Sequence, residues 1–346
     1  MIRPAGVAEA RGQADDRRDM HPILGIILRR LGLGLLMLVA TSAIIFFSVE
    51  LLPGDFARNL LGQSATPEAV AALREELGLN RPAIVRYGEW LMGALQGDFG
   101  TSFSGRGDGG AGRAVAETLL PRLANTFLLA GLAALIAVPA GIGLGILAVR
   151  HKGRLIDRLL NSSAVLIAAS PEFLIGYLLM YFLAVKAGLL PPLATLDPGR
   201  PLLAQTEKLV LPVATLALAV TAHVMRMTRA TLMEIERKPW MEMAALKGLP
   251  PRWRLRHHAL PNAAGPLANV VAVNMAWLIT GVVVTETVFV YPGAGRLMVD
   301  AVVSRDIPVV QACALVFAAV YILLNLAADI VALITNPRLL HGGQAA

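Results

Sequence analysis

Long apolar runs separated by short polar stretches dominate the chain, and the runs are too long for strands or ordinary buried helices. A helix needs about 20 mainly apolar residues to cross a bilayer, because lipid offers no partner to a backbone amide. Six segments qualify: residues 23–49, 123–149, 159–185, 209–225, 260–285 and 307–334. Arg29 and Arg30 interrupt the first run early, leaving 31–49 uncharged, and their long side chains can reach toward headgroups. Pro171 and Glu172 fall inside the third run, where a missing amide and a carboxylate predict a kink or a locally wet turn. Gly141 and Gly145 in the second run make a G-x-x-x-G face suited to close helix packing.

The polar intervals have their own pattern. Residues 53–121 open with a turn at "LPGD", and Thr66 then caps a helix that begins at Pro67 and stops near Gly78. A second helix starts at Pro82 and runs through "AIVRYGEWLMGAL". Both are amphipathic, which predicts a small helical lid on the spans. "SGRGDGGAG", from Ser104 to Gly112, reads as a flexible tip. The first 22 residues are polar and predicted to be disordered, and residues 339–346 form a short tail.

Basic residues set the orientation. Arg150, Lys152, Arg154 and Arg158 follow the second run, and Arg226, Arg229, Arg237, Lys238, Lys247, Arg252, Arg254 and Arg256 follow the fourth. The connections after the third and fifth runs are sparse in Lys and Arg, so the positive-inside rule places both termini in the cytoplasm and residues 53–121 outside. "RRLGLGLLMLVATSA" resembles a cleavable signal, but the apolar stretch continues through Ile44, Ile45, Phe46 and Phe47, longer than a usual signal core. The first span is therefore expected to remain.

Composition narrows the function classes. With 56% hydrophobic and 16% charged residues over 346, the chain is too apolar for a soluble domain and reads as an all-α polytopic membrane protein. The net charge of +7 does not imply nucleic acid, since no basic face on a soluble fold carries it. Cys313 stands alone, excluding an intrachain disulfide and a cysteine metal cluster. No G-x-x-x-x-G-K-[ST] loop occurs, so the chain is not itself a P-loop ATPase, and no H-E-x-x-H occurs. His257 and His258 are adjacent and point apart on a helix, which suits headgroups better than metal. "SGRGDG" lacks the G-x-S-x-G order of a nucleophile elbow.

Glu172, His223, Glu286 and Asp329, with Asn274 and Asn325, are the polar groups within or at the ends of the later runs. Glu286 and Asp329 sit near run ends, where a carboxylate costs little. Glu172 is the deep one and a candidate for a transport path. No midplane relay accompanies it, so an ion-coupled secondary transporter rests on that residue alone.

The passage "EMAALKGLPPRWRLRHHALP", Glu242 to Pro261, falls in the most basic cytoplasmic interval. A short helix from about Pro239 has Ala244 and Ala245 as a low surface for a close partner; Gly248 ends it, and Pro250 and Pro251 prevent continuation. As composition this is a basic loop obeying the positive-inside rule. As spacing, it resembles the "EAA" signature of inner-membrane permease subunits of bacterial ABC importers: Glu242, Met243, Ala244, then Gly248, then His258, Leu260 and Pro261. Met243 and His258 depart from the usual alanine and aliphatic residue. "LLPGDFARNLLG", "LREELGLNRPAIVRYGEWL", "GDFGTSF", "RMTRATLMEI", "TETVFVYPGAGRLMVDAVVSRDIPVVQA" and "LLNLAADIVALITNPR" are similar to the dipeptide, oligopeptide and nickel permease group, over roughly residues 23–338.

That resemblance implies a type I importer permease: six spans, an exterior insertion at 53–121, and a cytoplasmic coupling loop at 228–259. Glu242, Met243, Ala244, Ala245, Gly248, Leu260 and Pro261 would couple it to ATPases. It also implies a second permease chain, two separate ATPase subunits that bind ATP and magnesium, and an exterior solute-binding protein. The location would be the bacterial inner membrane. No cofactor is expected in this chain. Short peptides are the first cargo, with nickel chelates, glutathione, opines and oligosaccharides as alternatives, and Glu172, Asn274 and Glu286 are the candidate path residues.

Overall fold

The computed structural model describes residues 20–50, 65–76, 78–103, 112–197 and 199–335. The polar start, the "LPGD" turn, most of the glycine-rich tip and the tail lie outside them. In chain order, helix α1 (Met20–Glu50) precedes the short α2 (Pro67–Glu76) and α3 (Ala83–Leu95), then α4 (Val115–Arg150), α5 (Leu155–Ala169) and α6 (Glu172–Leu179). A π-type turn over Met180–Lys186 prolongs α6. Next come α7 (Thr206–Glu236), α8 (Pro239–Leu246) and α9 (Pro251–Arg254), the last passing through a second π-type turn, Leu255–Ala259, into α10 (Leu260–Val288). Helices α11 (Ala294–Ser304) and α12 (Ile307–Thr335) complete the described chain.

Among the described residues, five helical stretches are long and apolar enough to cross a membrane: Ile27–Ser48, Val115–Arg150, Leu202–Glu236, Pro251–Val288 and Ile307–Ala332. The sixth predicted span is α5 with α6, bent by 107° at the break. Pro171 stands at that break in an extended conformation, where it can donate no amide to continue α5.

The largest interface joins α4 to α7. Along α4, Ala133, Ala137, Gly141 and Gly145 recur every fourth residue and are all buried, so one face carries almost no side-chain bulk. A methyl on Gly141 would lie 2.7 Å from the Val224 Cβ, and one on Gly145 would lie 2.7 Å from the Thr228 Cβ and 3.0 Å from the Met225 carbonyl oxygen. The G-x-x-x-G face is thus the seam on which α7 packs. Gly145→Leu is expected to lower the stability of the purified chain by about 3 kcal/mol through overpacking. Gly143→Leu, where an added methyl meets nothing within 4 Å, should leave the melting temperature nearly unchanged, and equal melting of the two variants would contradict the seam.

Helices α2 and α3 form where the sequence predicts them. The Ala69 amide donates to the Thr66 hydroxyl at 3.2 Å, capping α2, and Gly78 takes a φ of +62° just beyond that helix. Tyr87 of α3 packs edge-on and Trp90 tilted against Phe46 of α1, and Tyr87 shares a 2.8 Å hydrogen bond with Ser42. Arg86 pairs with Glu50 close by. Arg30 of α1 forms an ion pair with Asp329 of α12, joining the first and last spans through two charges that the sequence reading placed separately. At the arginine-rich end of the bundle, Asp157 of α5 accepts from the Arg229 guanidinium of α7 at 2.8 and 3.0 Å and from the Gly153 amide at 3.0 Å. Asp157 is buried, and this two-pronged contact fixes α5 on α7.

Candidate functional site

Helix α8 is held at the arginine-rich end by two side chains. Pro239 sets its first turn, and Glu242 lies in that turn, where the helix dipole favours a carboxylate. Met241 and Ala244 are buried, and Met241 enters an apolar cluster formed by Val149, Leu232, Ile235, Leu255, Ala259 and Ala263. The cluster draws on α4, α7 and the start of the α10 span, so α8 is seated on three membrane helices. Its opposite face presents Trp240, Met243 and Leu246, the last 77% exposed.

The end of α8 is a Schellman motif. The Gly248 amide donates to the Ala245 carbonyl at 2.9 Å, and the Leu249 amide donates to the Ala244 carbonyl at 3.3 Å. Gly248 has a φ of +76°, a conformation that side chains rarely adopt. The glycine is therefore where the sequence places the helix stop. The small-residue surface is not where the sequence reading places it: Ala245 is exposed, but Ala244 faces the molecule's own interior. An eight-residue helix must bury something to stay seated, and here it buries Met241 and Ala244.

Leu260 packs against the same cluster, and Pro261 occupies the first turn of α10 at an exposed position. His258 packs edge-on against Trp253 at 5.2 Å between ring centroids, while the exposed His257 stacks on Trp253 at 4.4 Å. The histidine at the usually aliphatic position is thus accommodated by an aromatic neighbour.

At the other end of the bundle, Glu286 is fully buried. Its carboxylate accepts from the Thr126 hydroxyl at 2.6 Å, the Gly295 amide at 2.8 Å and the Arg296 amide at 3.1 Å. The same Thr126 oxygen accepts from the Ala294 amide at 2.9 Å. Glu286 and Thr126 together satisfy the first amides of α11, tying α10, α4 and α11 at one point. A methyl on Gly293 would overlap the carboxylate. The Asn125 side-chain amide donates to the Pro292 carbonyl, and the Tyr291 hydroxyl donates to the Asn125 carbonyl at 3.0 Å. Burial lifts the Tyr291 phenol above its ordinary pKa, so it acts as a neutral donor.

The other two candidate path residues lie apart from Glu286. Asn274 is buried on α10 and donates to the Val270 carbonyl at 2.7 Å. Glu172 opens α6 at the break, half-buried, and its carboxylate fills the space where Gly281 of α10 lacks a side chain, 2.6 Å from where a methyl would stand. Among the described residues no hydrogen bond or ion pair engages the Glu172 carboxylate. The sequence reading missed that pocket and the α11 cap, since both depend on glycines distant from the acid they accommodate.

The model of the family described as "Binding-protein-dependent transport system inner membrane component" matches residues 137–341, and its N-terminal companion matches residues 23–127. A probable peptide ABC transporter permease protein of Sinorhizobium fredii is 36% identical over 313 residues, covering 90% of this chain and 98% of that protein. A glutathione transport system permease protein of Salmonella typhimurium is 35% identical over 316 residues, covering 91% and 98%. The fold is similar to that of the MetNI methionine ABC transporter in an inward-facing conformation, with a TM-score of 0.51, 16% identity, and coverage of 64% of this chain and 97% of that one.

Proposed function

The chain belongs to the family of binding-protein-dependent transport system inner membrane components, and on that premise we propose that it forms half of the pathway through which an ATP-driven importer takes up short peptides. An ABC importer permease of type I architecture, it is a multi-pass membrane protein. The observation that carries the coupling role is the seating of α8: Met241 fixes one face on the ends of α4, α7 and the α10 span while Trp240, Met243 and Leu246 stand open on the other.

In this reading the open face of α8 docks on an ATPase subunit, and Glu242, Met243 and Ala245 stand toward it. Gly248 sets the exit angle, and Ala244, Leu260 and Pro261 carry the motion inward. A push on α8 reaches α7 and α10 through close-packed side chains, which transmit displacement because the interior has little room to yield. The arginine-rich end is cytoplasmic, and α2 and α3 lie outside, by the bias of basic residues. A second permease completes the path, an exterior binding protein delivers cargo, and ATP and magnesium belong to the ATPases. Glu172 and Asn274 are the path candidates, whereas the enclosed carboxylate of Glu286 fits a fastening role.

Purification of the tagged chain from its native membrane in mild detergent, with nucleotide present, is expected to bring an ABC ATPase and a second permease with it. Recovery of the chain alone would overturn the coupling reading and return an ion-coupled transporter, dependent on Glu172, to first place. Competition of unlabelled dipeptides against labelled-dipeptide uptake tests the cargo. Glutathione is the second reading, since a 35% identical relative carries it in its name; stronger competition by glutathione would select it.

A further inference from the structure

The arginine-rich end contains a cavity of about 710 Å³ between the end of α4, the turn after it and the start of the α10 span. Arg150, His151 and Arg154 line it from the end of α4 and the turn after it, and Arg252, Arg256 and His257 from the start of the α10 span. Glu236 is the single carboxylate in the lining, and it lies 3.8 Å from the Lys152 ammonium. Among the described residues no side chain or carbonyl pairs with any of the four guanidiniums. All four are exposed, so water and salt screen much of their mutual repulsion, and an anion entering the cavity relieves what remains.

The rest of the lining is apolar: Val149, Pro250, Pro251, Leu255 and the half-exposed Trp253. A cationic rim over an apolar floor fits an amphipathic anion. Depth agrees. Arg122 and Arg150 bracket the uncharged part of α4, and at 1.5 Å per residue the stretch between them is about 40 Å long, the thickness of a bilayer with its headgroup layers. Arg150 therefore stands at headgroup level. No residue of α8 lines the cavity, although Glu236 and residues 250–257 belong to the loop assigned to coupling, so the test below separates a lipid from an ATPase there.

We infer that this cavity binds the phosphate of an anionic phospholipid of the cytoplasmic leaflet, its glycerol and first methylenes resting on the half-exposed Trp253. The inference requires that the chain span a membrane and is independent of the cargo. A bound lipid would offset one of the four positive charges and brace the root of α10 against the end of α4, beside the cluster that seats α8.

The test uses the full chain in mild detergent, titrated with phosphatidylglycerol, phosphatidylcholine or inorganic phosphate, and read by native mass spectrometry and thermal unfolding. Phosphatidylglycerol is expected to stay bound and raise the melting temperature, and the other two to do neither. Arg252→Gln with Arg256→Gln should weaken its retention about fivefold for each arginine removed. Arg158→Gln with Arg237→Gln, at exposed positions outside the cavity on the same end, should leave it unchanged. Equal retention of the two lipids, or an equal effect of the two double variants, overturns the inference. Protection by inorganic phosphate matching that by phosphatidylglycerol overturns the lipid as source. If the Arg252 and Arg256 variant keeps its lipid but loses a co-purifying ATPase, the cavity belongs to a protein interface. Failure to recover any ATPase would count against the importer reading and leave the lipid result standing.

Discussion

Glu286→Ala is expected to remove about 3–5 kcal/mol of stability, because it strands buried donors that have no water to turn to. Alanine leaves the amides of Gly295 and Arg296 and the Thr126 hydroxyl without their acceptor. It also leaves a cavity where three helices meet. The melting temperature of the detergent-purified chain should fall sharply, and less of the chain should accumulate in membranes. Glu286→Gln should be intermediate: its carbonyl oxygen, placed as Oε2, can still serve both amides, but its NH2 group then faces the Thr126 hydroxyl, which has to stop donating to it. Thr126→Val should cost less, since the carboxylate still caps α11. Loss of transport with unchanged melting in Glu286→Ala would mean that the carboxylate acts on cargo, and the fastening role would then fail.

The second large effect is functional. Gly248→Val is expected to reduce ATP-driven uptake by about tenfold or more while leaving the amount of inserted chain close to normal. A β-branched residue at a φ of +76° carries strain of about 1–3 kcal/mol. That strain is confined to the turn closing α8, where an added methyl meets no other atom within 4 Å. The bundle keeps its packing, but α8 loses the two hydrogen bonds that end it and its open face no longer keeps one angle. Gly248→Asn, which tolerates the left-handed region better, should retain more uptake than valine. Uptake at the normal rate in the valine variant would show that the angle of α8 does not govern coupling.

The spans were legible because each is a run of about 20 apolar residues, a signal set by bilayer thickness rather than by neighbours. The break in the third was legible from Pro171, but its 107° bend was not, since proline says where a ladder stops and not where the chain goes next. Glu286 was read as interfacial from its place at the end of an apolar run. The fold turns that end into interior by laying α11 over it, an event directed by "YPGAG" several residues later. Arg30 and Asp329 illustrate the same limit, as two span-end charges whose pairing depends on α1 lying beside α12. Ala244 is a limit of length. Eight residues make about two turns, too few for periodicity to say which face is buried. The end of α8 was legible because only glycine fits its geometry readily.

The bend between α5 and α6 bears on how the chain survives in a cell. With 15 residues, α5 extends about 22 Å, short of the roughly 30 Å of hydrocarbon. The backbone therefore turns at a depth where lipid tails cannot accept the opening amides of α6, beside a carboxylate with no partner among the described residues. Water or a second chain must cover that place. A copy made in excess of whatever covers it carries a polar gap into the bilayer, and such locally open segments are where membrane proteases begin. If the second permease proposed above supplies that cover, the abundance of this chain would follow the supply of its partner as much as its own synthesis.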